Sequence, residues 1–190
     1  MDLTFEEIEK FAIRRLGGSS KTPMLIHQIS LQVERKRAQG DRFTVVGMYG
    51  NYILKPPADD YPAMPETEHL TMRLADHFGI ETVPNALIRM ADGALAYITR
   101  RIDRVNGQKL HMEDMCQLTE RLTEDKYKSS MEQVAKAIDK YSNYRLLDLG
   151  RLFEITCFSF LVGNADMHLI NFSLFKEDRH WRLAPAYDLI

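Results

Sequence analysis

The chain carries almost no net charge: 25 lysines and arginines stand against 27 aspartates and glutamates, leaving −2. That balance gives no electrostatic reason to expect nucleic acid as a direct partner. Cysteine is scarce as well. The two present, Cys116 and Cys157, sit in apolar helical patterns and read as reduced core residues of a cytoplasmic protein, not as a disulfide or a thiolate metal site. Long apolar runs are missing. The longest, around Phe153 to Val162, is too short and too interrupted to span a bilayer, so no membrane partner is expected. Internal repeats and low-complexity tracts are absent. The opening, MDLTFEEIEKF, is acidic and amphipathic and resembles neither a signal peptide nor a transit peptide.

What is present is ordinary globular material. The 190 residues are 45% hydrophobic and 27% charged, enough for one sizeable domain or two small lobes. A short helix at about 4–14 leads to the glycine-rich turn Gly17-Gly18-Ser19-Ser20-Lys21. Strand-like segments follow near 24–33 and 43–48, the second joined through Gly50-Asn51, a hairpin signal, to Tyr52-Ile53-Leu54-Lys55. Residues 66–78 place Leu70, Leu74, Ala75 and Phe78 on one helical face. Asp92-Gly93 predicts a second hairpin, between 86–89 and 95–99.

Beyond Asp103 the pattern turns helical. Met115, Leu118 and Leu122 share a face, as do Val134 and Ile138, while Leu152 to Phe160 is apolar nearly all round, as in a buried helix. A strand pair with a charged turn closes the chain, at 171–175 and 181–183. The ten methionines, at helical spacing, look like core filling. Strands first and helices second imply an α+β, two-lobed architecture: an N-lobe over 1–103 and a helical C-lobe over 104–190.

Chemistry concentrates in Gly163-Asn164-Ala165-Asp166-Met167-His168-Leu169-Ile170-Asn171, between an apolar helix and a strand. Asp166 and Asn171 stand five apart, the spacing by which a kinase catalytic loop sets its base and its metal-binding asparagine. Seventeen residues further, in APAYDL, Asp188 can return to the same site as a second magnesium ligand. Both loop residues are also common turn formers. Lys55 ends an apolar strand, where a kinase places its phosphate-holding lysine; Glu68 is its natural ion-pair partner, with Glu66 as competitor. The backbone of Gly17 and Gly18, with Lys21, could meet phosphate. Asp166, His168, His111 and Asp188 could also be read as a metal-hydrolase cluster, but they match no helical His-x3-His spacing and include no thiolates. His168 either braces the loop or contacts nucleotide.

GNADMHLINFSLF followed by LAPAYDL resembles the catalytic and metal-binding motifs of HipA-like serine/threonine kinases. YGNYILKPP, PETEHLTMRLA, LAYITRRIDR and KLHMEDMCQL follow the same family's order. The resemblance implies a two-lobed kinase-like fold related to lipid kinases, ATP with magnesium, and a toxin role in a bacterial toxin–antitoxin operon. It implies Asp166 as catalytic base, Asn171 and Asp188 as magnesium ligands, and Lys55 on phosphate. Arg100 to Ile102 would form the hinge beside adenine, with Asp103 near the ribose. Implied partners are a HipB-like antitoxin, a HipS-like small subunit and a protein substrate such as an aminoacyl-tRNA synthetase.

Three features depart from the family pattern. The chain begins almost at the glycine-rich loop, as in the short HipT form. GGSSKTPML lacks the usual glutamine. The resemblance also implies self-phosphorylation of serines near this loop, for which Ser19 and Ser20 are candidates in a shifted register. The chain also stops two residues after Asp188, so an incomplete C-lobe is expected. The alternative to an active kinase is therefore a catalytically silent component that binds ATP or an antitoxin; a small-molecule phosphotransferase is a third reading.

Overall fold

The structure, a computed structural model, describes residues 29–36, 40–45, 50–58, 60–105 and 108–190. The helix expected at 4–14 and the turn holding Gly17, Gly18, Ser19, Ser20 and Lys21 lie outside them. The described chain divides into two compact units: the residues up to Leu70 with Pro84–Arg101, and Thr71–Val83 with Ile102–Ile190.

The first unit is built on a five-stranded antiparallel sheet. Its strands are β1 (Ile29–Lys36), β2 (Gly40–Val45), β3 (Tyr52–Lys55), β4 (Asn85–Arg89) and β5 (Leu95–Arg100), in the order β2-β1-β3-β5-β4. Side chains alternate between faces with period two. Leu31, Leu54, Ala96 and Ile98 therefore gather with Met90 in one buried cluster, flanked by Tyr52 and Ile88. Lys55 and Tyr97, paired across β3 and β5, stand on the other face. Asp92-Gly93 makes the expected hairpin, with Gly93 at φ +88° and the Asp92 carboxylate accepting from the Ala94 N–H at 3.0 Å.

Gly50-Asn51 does not make a hairpin. β2 pairs with β1, from Leu31↔Val45 to Lys36↔Gly40, and β3 lies on the opposite side of β1. The chain therefore crosses at Gly50, so close that a Cβ there would stand 2.7 Å from both the backbone N and O of Leu31. Only glycine fits such an approach without displacing the strand. Gly50→Ala is expected to lower unfolding free energy by about 1–3 kcal/mol, the cost of overpacking, with an unchanged m-value in urea denaturation.

The second unit holds a three-stranded antiparallel sheet, β10-β9-β8, made of β8 (Met112–Asp114), β9 (Ser173–Glu177) and β10 (His180–Leu183). A short ribbon pairs β6 (Arg104–Val105) with β7 (Gln108–Lys109). The β9–β10 turn is Asp178-Arg179, both at positive φ (+45° and +72°), a primed turn that suits the twist of a hairpin. Its helices are α2 (Met115–Leu118), α3 (Met131–Tyr141) and α4 (Arg145–Val162), while α1 (Met64–His77) begins in the first unit and ends in the second. Val134, Ala137 and Ile138 of α3 and Leu152, Ile155 and Phe158 of α4 are buried where the two helices pack. Asp148, fully buried on α4, accepts from the Ser142 hydroxyl at 2.6 Å and the Leu183 N–H at 2.8 Å, fixing α4 to β10.

Four expectations are corrected. The face shared by Met115, Leu118 and Leu122 does not exist, because α2 ends at Leu118 and Leu122 is exposed. Glu120 adopts left-handed φ +56°, and the N–H groups of Arg121 and Glu120 close back onto Cys116 O and Gln117 O, a Schellman end with glutamate in glycine's usual place. On α1 the buried residues are Pro65, Glu68, Thr71, Met72 and Ala75, whereas Leu70 and Leu74, and Phe78 just beyond its end, are exposed. On α4, α3 and β10 pack against one side, and Phe153 and Phe160 on the others are exposed. Cys116 is buried, and burial pushes its thiol above the usual range, but Cys157 is an exposed free thiol. Among the described residues no helix is long and apolar enough to cross a membrane.

Candidate active site

In the first unit Lys55 closes β3, and Pro56-Pro57 prevents the strand from continuing. Its Nζ meets both carboxylate oxygens of Glu68, at 2.8 and 3.0 Å, and lies 5.7 Å from the Tyr97 ring centroid. The side chains are 16% and 2% exposed, so the pair is well shielded from water. An ammonium so fixed is oriented before any phosphate arrives. This pairing also explains α1: the helix turns the face carrying Glu68 inward, at the expense of Leu70.

In the second unit α4 stops at Gly163, whose φ of +75° is the left-handed cap, with Asn164 N–H bonding back to Ser159 O at 2.9 Å. The loop that follows is held by its own polar groups. Asn164 Oδ1 accepts from the Asp166 N–H at 3.0 Å. The Asp166 carbonyl accepts from the His168 N–H at 3.0 Å and from Asn171 Nδ2 at 2.8 Å. A single 3-10 turn, Leu169–Asn171, then delivers the chain into β9. Asn171 is buried, and with Nδ2 committed to the loop its Oδ1 has no hydrogen-bond partner among the described residues.

Asp188 arrives after β10. The Asn171 Nδ2 lies 3.5 Å from its carbonyl, and Asn164, Met167, Asn171 and Asp188 line one small pocket. Its backbone is left-handed, at φ +59°, a conformation aspartate tolerates better than most residues. The segment carrying it is pinned by Tyr187, whose hydroxyl donates to Ile170 O at 2.9 Å and meets the Ser173 hydroxyl at 2.5 Å. Burial pushes the Tyr187 phenol far above its ordinary range, so it stays a donor at any physiological pH. A parallel bridge between Thr82 and Ala186 holds the segment from the other side.

His168 is buried, with Nε2 3.6 Å from Asp166 Oδ2 and Nδ1 without a hydrogen-bond partner among the described residues. The structure adds a residue that linear spacing could not reveal, Tyr127. Its hydroxyl donates to Asp166 Oδ1 at 2.8 Å, and its ring meets the His168 ring edge-on at 5.2 Å. It lies 39 positions before Asp166 in an exposed segment and carries no sequence signal.

The remaining sequence candidates are placed as follows. Arg100 is exposed at the end of β5, and the chain passes from one unit to the other between Arg101 and Ile102, which is half-buried. Asp103 is buried, with its carboxylate 2.6 Å from the Arg104 guanidinium. His111 pairs with Glu113 at 2.9 Å and packs edge-on against Trp181, and it does not join Asp166, His168 and Asp188. Among the described residues no three His, Cys, Asp or Glu side chains gather as a metal cluster. The donor set fits magnesium: a buried amide oxygen on Asn171, unpartnered among the described residues, beside the segment bearing the Asp188 carboxylate offers hard oxygen ligands.

Comparison with known proteins gives one family. Residues 16–190 match the model of the HipA-like C-terminal domain. A Haemophilus influenzae protein named "Putative kinase" is 34% identical over 165 residues, covering 79% of this chain and 48% of its own length. The chain spans about half the length of the curated relatives it matches. In fold it is similar to a chain of the Shewanella oneidensis toxin–antitoxin complex of HipA, HipB and operator DNA, with a TM-score of 0.69 and 21% identity over 97% of this chain and 49% of that one. The Helicobacter pylori proinflammatory kinase CtkA aligns with a TM-score of 0.59 and 16% identity, over 84% of this chain and 57% of that one.

Proposed function

The chain belongs to the HipA-like C-terminal domain family, and on that premise we propose that it is the nucleotide-binding and catalytic region of an ATP- and magnesium-dependent serine/threonine protein kinase. The observation that carries this reading is Asn171. Its Nδ2 is tied to the carbonyl of Asp166, and its buried Oδ1, beside the segment that bears Asp188, has no partner among the described residues. A bare amide oxygen in that position costs free energy unless something accepts its lone pairs, and a hard cation does so.

Asn171 and Asp188 hold magnesium, which supplies charge neutralisation for the transferring phosphoryl group. Lys55, oriented by Glu68, holds the phosphates. Asp166 accepts the hydrogen bond of the acceptor hydroxyl and orients it. Arg100, Ile102 and Asp103 serve adenine and ribose, and Gly17, Gly18 and Lys21 the phosphates. Ser19 and Ser20 are the self-modified positions. The wider role is that of a cytoplasmic toxin component that phosphorylates a protein such as an aminoacyl-tRNA synthetase. A HipB-like antitoxin and a HipS-like subunit are its partners. The family match and the names of the relatives support the kinase assignment, and the HipA–HipB complex from Shewanella supports the HipB-like partner.

The test is calorimetric. With ATP and magnesium at a hundred times the dissociation constant, mass action should stabilise the folded protein by about 2.7 kcal/mol, seen as a raised melting temperature. Omitting magnesium, or substituting Asn171→Ala, should remove most of the rise. A cooperatively folded protein whose melting ignores magnesium-ATP at millimolar concentration would refute the reading.

A further inference from the structure

We propose that Tyr127 is a positioning residue for Asp166, orienting the carboxylate for the acceptor hydroxyl; this rests on the kinase reading above. The backbone of Asp166 is already fixed from three directions by Asn164, His168 and Asn171. Its carboxylate is not. The terminal torsion of aspartate is broad and two-fold, and this side chain is 41% exposed. Among the described residues the Tyr127 hydroxyl is the one side-chain group hydrogen-bonded to it, at 2.8 Å on Oδ1. The His168 Nε2 faces Oδ2 at 3.6 Å, beyond hydrogen-bond reach. With Oδ1 held by Tyr127, the plane of the carboxylate is set, and Oδ2 is presented in one direction.

The chemistry of the partner matters. A phenol donates one hydrogen bond and brings no positive charge, so it orients the carboxylate without cancelling its charge as lysine or arginine would. Tyr127 is in turn placed by its surroundings. Its ring packs edge-on against the His168 ring at 5.2 Å, with an interplanar angle of 76°. The carbonyl of the preceding Lys126 accepts from the Leu169 N–H at 3.2 Å, which stitches this segment to the catalytic loop beyond His168. The Lys126 ammonium lies 4.8 Å from the Tyr127 ring centroid. Tyr127 is itself 64% exposed, so little apolar burial explains its place. Its contacts run to the loop that carries the base.

Tyr127→Phe separates this role from packing, because the ring stays against His168 and only the hydroxyl is lost. In the protein that carries this chain, kcat for phosphoryl transfer to a protein acceptor should fall about tenfold, the worth of one hydrogen bond to a charged group, with KM for ATP unchanged. Added to Asp166→Asn, the same change should cost nothing more, since a positioning residue has nothing left to position. A second readout needs no turnover. In protein labelled with 13C-tyrosine, the Cζ resonance assigned to Tyr127 by its loss in Tyr127→Phe should move in Asp166→Asn. A Tyr127→Phe protein that transfers phosphate at the wild-type kcat overturns this role and leaves the kinase reading standing. A Tyr127 resonance indifferent to Asp166→Asn overturns it as well. A wild-type protein that binds magnesium-ATP and transfers no phosphate to any acceptor removes both.

Discussion

Asp166→Asn should lower the rate of phosphoryl transfer by about 10²- to 10⁴-fold while magnesium-dependent ATP binding stays near its wild-type level. The asparagine has the same size and still offers Oδ1 to the Tyr127 hydroxyl, and the loop bonds made by the Asp166 backbone are untouched. What disappears is the negative charge that receives the acceptor hydroxyl. The groups assigned to nucleotide and metal, Lys55, Asn171 and Asp188, keep their own partners, so binding has no reason to fail. The measurement pairs radiolabelled phosphate transfer with melting temperature in the presence of magnesium-ATP. Wild-type transfer would reduce Asp166 to a turn residue. Loss of both transfer and nucleotide stabilisation would mean that the loop itself had collapsed.

The second large effect falls on Lys55 and Glu68. Lys55→Met should destabilise the fold by about 3 kcal/mol, because the Glu68 carboxylate, 2% exposed, is left buried without its ammonium. The loss should be largely recovered in Lys55→Met combined with Glu68→Leu, which replaces both charges with apolar groups of similar volume. Both variants should lose most of the magnesium-ATP stabilisation. Urea denaturation with and without nucleotide separates the two properties. A double variant that regains stability without nucleotide binding identifies a pair retained for ligand binding. A double variant no more stable than Lys55→Met would show that the pair is structural.

The site was far more legible in sequence than the packing around it. Asp166, Asn171 and Asp188 are set by short local connections, a 3-10 turn and one hairpin, so their spacing survives translation into space. Lys55 was legible for a similar reason, since Pro56 marks the end of its strand. Gly50 was not, because its role depends on which strand lies beside β1, and strand order is decided by sheet-wide packing that a dipeptide does not encode. Of Leu70, Leu74, Ala75 and Phe78 only Ala75 is buried, because the stripe that α1 buries, Glu68, Thr71, Met72 and Ala75, keeps the helical period but includes polar residues that a count of apolar spacing passes over. The end of α2 was hidden because glutamate, not glycine, takes its left-handed position. Tyr127 shows the opposite limit: a contact across 39 residues leaves no periodic trace at all.

The left-handed backbone at Asp188, φ +59°, bears on how this position can vary. Aspartate, asparagine and glycine enter that conformation at little expense, whereas a longer or β-branched side chain pays about 1–2 kcal/mol in backbone strain. Glutamate, the usual conservative exchange, is therefore a poor neighbour in the mutational landscape: it retains the charge but strains the main chain. Asparagine is the reverse, retaining the main chain and surrendering the charge. Genetic drift away from aspartate at 188 thus has an easy exit toward a folded chain without the carboxylate and a harder one toward glutamate. A lineage that silenced this site would be expected to carry asparagine or glycine here well before glutamate.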